Sequence, residues 1–261
     1  MVNYIALQFT GLVRGFRFEH VRNNIYNRLI KPLQEQGFEV HIFWHTYDIE
    51  FDDIIYNIDK GKFNIKKIVV DKDQHIQNYL ENDFKLLDTY IFPPTWKTAA
   101  NVDTGTGKIV KDTYHHYGWF KYLYSIQEVN KIRNEYEKKQ NIKYDWVILT
   151  SPQMEPQNTI DDLTKLNNKY MYSPGYARSN GYYDSFWISN VNDANYMRDF
   201  YKYMITEDFK KDLKITYLHN DRNYIDSEPL FKAYIDKNCR MKDNLNIRFQ
   251  RVRYNGLIID H

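Results

Sequence analysis

Cysteine is nearly missing from this 261-residue chain, with Cys239 the single one. No intramolecular disulfide can staple the fold, and a reducing compartment is expected. An excess of either charge is missing too: 36 lysines and arginines stand against 34 aspartates and glutamates, leaving +2. That balance excludes the strong basic field of a nonspecific nucleic-acid binder, while small anionic ligands stay open. No stretch reaches the roughly 18 apolar residues that a bilayer span needs, so no transmembrane segment is expected. The opening Met1-Val2-Asn3-Tyr4-Ile5-Ala6-Leu7 lacks the basic segment and long apolar run of a signal peptide, so a cytoplasmic protein is expected. Internal repeats, low-complexity tracts and separating linkers are absent as well.

What is abundant is core-forming material. Hydrophobic residues make up 43% of the chain and aromatic ones 17%, enough to bury a large core. The short apolar run Tyr4 to Phe9 ends at Gly11 and reads as a buried strand closed by a turn. Phe18, Val21, Ile25, Leu29, Ile30 and Leu33 then recur at helical spacing up to Gly37, a suitable helix stop. In Glu39 to Tyr47, Val40, Ile42 and Trp44 alternate with His41, Phe43 and His45, and Ile65 to Val70 supplies a third apolar run. The pattern lapses from about Lys85 to Tyr117, a length that suits a lid or a disordered segment. A helix is expected over Trp119 to Gln140, an interior strand over Tyr144 to Thr150, and a loop over Ser173 to Tyr183. A strand at Ser185 to Ser189 follows, then a helix capped by Asn192 or Asp193 that runs to about Thr206. A helix over Asp226 to Lys237 and a strand near Asn246 to Arg253 end the series. Strands alternating with helices predict one continuous α/β domain on a Rossmann-like, mostly parallel central sheet flanked by helices.

In such sheets ligands bind beyond the carboxyl ends of the strands. The first strand ends in Thr10-Gly11-Leu12-Val13-Arg14-Gly15, where the glycines permit close backbone approach and Arg14 can grip a phosphate bidentately. An ordinary turn with a solvated arginine fits the same residues. The second strand ends in His45-Thr46-Tyr47-Asp48. Asp48 is placed to accept hydrogen bonds from a ribose or base; alternatively it caps the next segment, and His45 is a satisfied core histidine. His41 and His45 share a strand face, but a metal site would need a third ligand that the spacing does not identify. Thr104-Gly105-Thr106-Gly107-Lys108 is not a phosphate loop. Val102 stands where the first glycine is required, and Ile109 where a serine or threonine is.

Six ordered blocks carry a resemblance. They are Ile5 to Phe16, Val40 to Asp48, Tyr144 to Thr150, Gly181 to Phe186, Asp226 to Leu230 and Arg248 to Arg253. Together they resemble the GT-A-like nucleotide-sugar glycosyltransferases of polysaccharide biosynthesis and of large DNA viruses, across nearly the whole chain. The resemblance implies a GT-A-like domain over residues 1–261, with about 1–150 binding the nucleotide sugar and about 151–261 the acceptor. It implies a nucleotide diphosphate sugar as donor, held by Gly11, Arg14 and Asp48, a glycan as acceptor, and no nucleic-acid partner. A carboxylate must deprotonate the acceptor hydroxyl, and the resemblance points to Asp184 or Glu228. Tyr182 and Tyr183 are candidates for stacking on the sugar. The family carries an acidic motif for a divalent metal (Mn or Mg) after the Tyr144 strand, whereas this chain reads Thr150-Ser151-Pro152-Gln153-Met154-Glu155. Glu155 could compensate, or arginine and lysine could hold the diphosphate instead. A noncatalytic glycan-binding or scaffold protein on the same fold is the alternative.

Overall fold

The computed structural model describes residues 2–47, 58–72, 114–176, 181–203, 227–253 and 256–260, with 54, 76, 206 and 208 singly. Among these residues, seven strands form one sheet in the order β3-β2-β1-β4-β7-β6-β8. They are β1 (Asn3–Thr10), β2 (Phe38–Thr46), β3 (Ile65–Val70), β4 (Trp146–Thr150), β6 (Met171–Pro174), β7 (Phe186–Ser189) and β8 (Met241–Leu245). β1 pairs in parallel with both β2 and β4, β2 with β3, and β6 with β8, while β7 runs against its two neighbours. Six strands therefore point one way and one the other. A second sheet joins β10 (Ile258–Asp260), β9 (Phe249–Val252) and β5 (Met154–Pro156), all antiparallel.

Strand alternation sorts the core into two layers. Ile5, Leu7 and Phe9 of β1, with Val40, Ile42 and Trp44 of β2, face a layer completed by Val21, Ile25, Leu29 and Leu33. Ala6 and Phe43 face the opposite layer, with Leu123, Ile126 and Val129. Neighbouring residues on a strand point to opposite faces, so a sheet carrying apolar side chains at nearly every position has to be covered on both sides. The first layer comes from α1 (Glu19–Ile25), a π-helical turn (Tyr26–Ile30) and α2 (Lys31–Glu35). The second comes from α3 (Tyr114–Gln140), α4 (Val191–Arg198), α5 (Phe200–Tyr203) and α6 (Ser227–Asn238). Each fully buried leucine or phenylalanine here contributes about 1.5–3 kcal/mol.

The widened turn has a local cause. Pro32 has no N–H to give the carbonyl of Arg28 four residues earlier, and that carbonyl instead accepts from the Ile160 N–H at 2.9 Å. The helix then ends where expected, with Gly37 in the left-handed region at φ 89°.

Three expectations need correction. The helix near residue 192 is capped by Asn190, whose side chain accepts from the Asp193 N–H, and it breaks at Asp199 before resuming as α5. Part of the expected Ser173 loop is β6. β8, Met-Lys-Asp-Asn-Leu, is a strand at the sheet edge with a largely exposed polar run, so it carries no apolar alternation to read. Most of the stretch Lys85 to Tyr117 lies outside the described residues, as does the Thr104 loop.

Candidate functional site

The sheet order fixes where a ligand crevice opens. From β1 the chain moves outward to β2 and β3 on one side, and β4 lies on the other. That reversal of strand order, at the carboxyl ends of β1 and β4, is the switch point at which open α/β sheets bind ligands. Phe9 of β1 pairs with Thr150 of β4, and Thr150 pairs with Phe186 of β7. The turns after Thr10 and Thr150 therefore stand side by side. Because β7 is reversed, its beginning arrives at the same edge and brings Asp184 with it.

The β1 turn is braced from below. Gly11 takes φ 83°, a left-handed conformation costly for residues with a Cβ. Its N–H donates to Ser125 Oγ of α3 at 3.0 Å. Ser125 Oγ lies 2.9 Å from His45 Nδ1 at the end of β2, and His45 Nε2 lies 3.1 Å from Asp71 Oδ2 just past β3. The Tyr124 hydroxyl donates to the same carboxylate oxygen at 3.0 Å. The run also takes in the His45 carbonyl oxygen, which accepts from the Ser125 hydroxyl at 3.1 Å while Ser125 Oγ accepts from the Gly11 N–H. Although it contains a serine, a histidine and an aspartate, Ser125 and His45 are fully buried, so Ser125 meets no substrate. His45 is the satisfied core histidine. His41 is another, with Tyr144 Oη at 2.9 Å and Glu39 Oε1 at 2.7 Å.

Arg14 is exposed at the tip of this turn, above the buried Val13. Gly15 presses against the second sheet, where a Cβ would stand 2.7 Å from the Gln153 Cα and 3.0 Å from the Val252 carbonyl oxygen. The second glycine of the turn thus serves an approach of protein backbone to protein backbone. The Val252 N–H donates to the Gln153 carbonyl at 3.0 Å, and Arg251 pairs with Met154. Arg253 follows, its N–H donating to the Leu257 carbonyl at 2.9 Å to close the β9–β10 hairpin. Lost solvation, and then the neighbouring charges of Arg251 and Arg14, hold the Arg253 guanidinium below its ordinary value. Arg251 Nε is buried without a hydrogen-bond partner among the described residues. Arg14, Arg251 and Arg253 thus converge at the switch point. In the sequence Arg251 and Arg253 stand only as part of a block; in the fold Arg251 lies on β9 and Arg253 directly after its last residue, Val252.

Asp184 and Glu228 come into the same neighbourhood. The Asp184 carbonyl accepts from the Tyr122 hydroxyl at 2.8 Å, and its Oδ1 accepts from Ser185 Oγ at 3.0 Å. Burial, and after it the Asp184 charge, pushes the Tyr122 phenol well above its usual range, while Arg251 acts the other way. Glu228 begins α6 and is nearly buried. Gly181 lies against it so closely that a Cβ would meet the Glu228 carbonyl carbon at 2.2 Å. Tyr176 packs against Tyr183, with ring centroids 4.9 Å apart. Burial first, with a smaller contribution from the Glu228 charge, pushes its phenol up to about 12.

The two stacking candidates are already engaged. Tyr183 is 2% exposed. Tyr182 carries Lys232 Nζ 4.2 Å above its ring, and its hydroxyl donates to Asp236 at 2.9 Å. Asp48 lies outside the described residues. Glu155 is 4% exposed and accepts a short hydrogen bond from Asn24 of α1. It pairs with Gln250, so alternation puts it on the opposite face of the small sheet from Arg251 and Arg253. Among the described residues, no three His, Cys, Asp or Glu side chains gather as a metal site would require, and no helix is long and apolar enough to cross a membrane.

No protein-family model matches the chain, and no curated protein matches it in sequence. Among solved structures it is similar to apo mouse xyloside xylosyltransferase 1, at 9% identity and TM-score 0.47, over 92% of this chain and 84% of that one. It is also similar to the apo glycosyltransferase GlyE of Streptococcus pneumoniae, at 7% and 0.37 over 93% of this chain and 45% of that one. An active-site mutant of LgtC is similar at 10% and 0.40, over 88% of this chain and 69% of that one.

Proposed function

We propose that this chain transfers a glycosyl group from a nucleotide diphosphate sugar to a glycan acceptor. The observation that carries the reading is the switch point between β1 and β4, where the Gly11–Arg14 turn, the end of β4 and the reversed start of β7 meet. That edge offers a cation for phosphate and carboxylates for acid–base work, which are the two kinds of group this transfer uses.

In this reading the Gly11 turn and Arg14 bind donor phosphate, and Asp48 binds the nucleoside. The acceptor hydroxyl oxygen attacks the anomeric carbon as the bond from that carbon to the diphosphate oxygen breaks. The hydroxyl proton passes to Asp184 or Glu228, and the nucleoside diphosphate leaves with the bonding electrons. Tyr182 and Tyr183, already packed, shape the acceptor side through Lys232 and Tyr176 rather than by offering free ring faces.

Calorimetry with UDP, GDP and dTDP and their sugars, in manganese and in chelator, tests the donor claim. Saturable binding of at least one is expected. Binding of none under either condition would overturn it. Glycan binding alone would favour the noncatalytic alternative.

A further inference from the structure

Among the described residues, the donor set at the switch point does not suit a divalent cation. Hard cations take oxygen ligands, carboxylates above all. The end of β4 offers Ser151, Pro152 and Gln153 there, and the Gln153 carbonyl is occupied by the Val252 N–H. Glu155, the one carboxylate on β5, is held by Asn24 on the other face of the small sheet. Asp184 and Glu228 stand nearby, but no third carboxylate, histidine or cysteine joins them to complete a metal shell among the described residues.

The same place gathers positive charge. Three guanidinium groups lie near one another, none of them in an ion pair with a carboxylate among the described residues, and one buried Nε–H has no acceptor there. Like charges brought together, and a buried donor left unpaired, both disfavour the empty site. A multiply charged anion removes both penalties. Guanidinium suits it, because its planar fork meets phosphate oxygens in pairs.

We propose that Arg14, Arg251 and Arg253 form a diphosphate site that works without a divalent metal, neutralising the charge that builds on the leaving nucleoside diphosphate. The inference rests on the glycosyl-transfer reading for the identity of the ligand, but the anion site itself does not. The backbone makes the arrangement rigid. β9 carries Arg251, Arg253 follows directly after its last residue, and the close seating of Gly15 on Gln153 and Val252 brings Arg14 beside them.

The test is calorimetric titration of the full chain with UDP, GDP and pyrophosphate, each in excess manganese and in EDTA. It is run on wild type, Arg251→Gln, Arg253→Gln and Arg253→Lys, with thermal unfolding to confirm each fold. The expected result is a dissociation constant that changes less than twofold between manganese and EDTA, rises at least tenfold in both glutamine variants, and is partly restored by Arg253→Lys. Binding that appears only with manganese would overturn the proposal. So would folded glutamine variants that bind as tightly as wild type. Arginine-dependent binding of pyrophosphate without binding of any nucleoside diphosphate would uphold the anion site and refute the donor reading.

Discussion

Gly15 sits against Gln153 at a separation that leaves no room for a methyl group, since a Cβ on it would lie 2.7 Å from the Gln153 Cα. The obstacle is backbone, which cannot swing aside as a flexible side chain can. Gly15→Ala is expected to cost about 1–3 kcal/mol as overpacking and to push the β1 turn off the small sheet. Thermal unfolding should show a melting temperature several degrees lower, and anion binding should weaken beyond what the stability loss explains. An alanine variant with wild-type melting and binding would show that the two sheets slide freely.

Ser125 offers a second handle. Ser125→Ala removes the acceptor for the Gly11 N–H, the donor to the His45 carbonyl and the partner of His45 Nδ1. Buried groups left unpaired cost about 1–3 kcal/mol. Urea unfolding should report that loss. Lys131→Ala, which removes an exposed ion pair with Glu128 on the same helix, should change stability by less than about 1 kcal/mol.

Acid sensitivity should centre on His41. Burial holds its folded pKa below the ordinary value of 6.5, outweighing the hydrogen bond to Glu39, which raises it. The unfolded chain therefore takes up a proton that the folded chain resists, and stability falls as pH drops below about 6.5. Glu39, whose own pKa is lowered chiefly by its hydrogen bond to His41, adds a further loss below its ordinary 4.5. Urea midpoints between pH 7.5 and 5 should decline in wild type and stay flatter in His41→Asn. Parallel profiles would remove His41 as the cause.

For the chemistry, donor hydrolysis and transfer should be measured in Asp184→Asn and Glu228→Gln. Loss of the base should lower kcat by about 10²–10⁴-fold with little change in donor affinity. Unchanged rates in both would refute the assignment of either carboxylate as base.

Much of the fold was written in apolar spacing. The alternation of Val40, Ile42 and Trp44 against His41, Phe43 and His45 divides β2 between the two core layers, and Gly37 stops its helix through a left-handed backbone. β8 was hidden because an edge strand of Lys, Asp and Asn buries almost nothing. The reversed β7 was legible as a strand but not in direction, since direction is settled by partners rather than by residues. At the site, Gly11 and Arg14 lie on the turn after β1, and the reversed start of β7 brings Asp184 to the same edge. Arg251 and Arg253 escaped because they sit about a hundred residues from the strand they join, and no local pattern records that pairing.

That pairing also keeps the arginines apart from the main sheet. β5 closes the small sheet with β9, a ladder that shares no strand with the seven-stranded one. Every strand of the seven-stranded sheet precedes residue 246, so its ladders include neither Arg251 nor Arg253. A chain cut after Leu245 would lose the buried Ile247, Phe249 and Val252 and leave the β1 turn without the backbone that Gly15 rests on. The grip on an anion therefore hangs on a small ladder that the main sheet does not need for its own pairing.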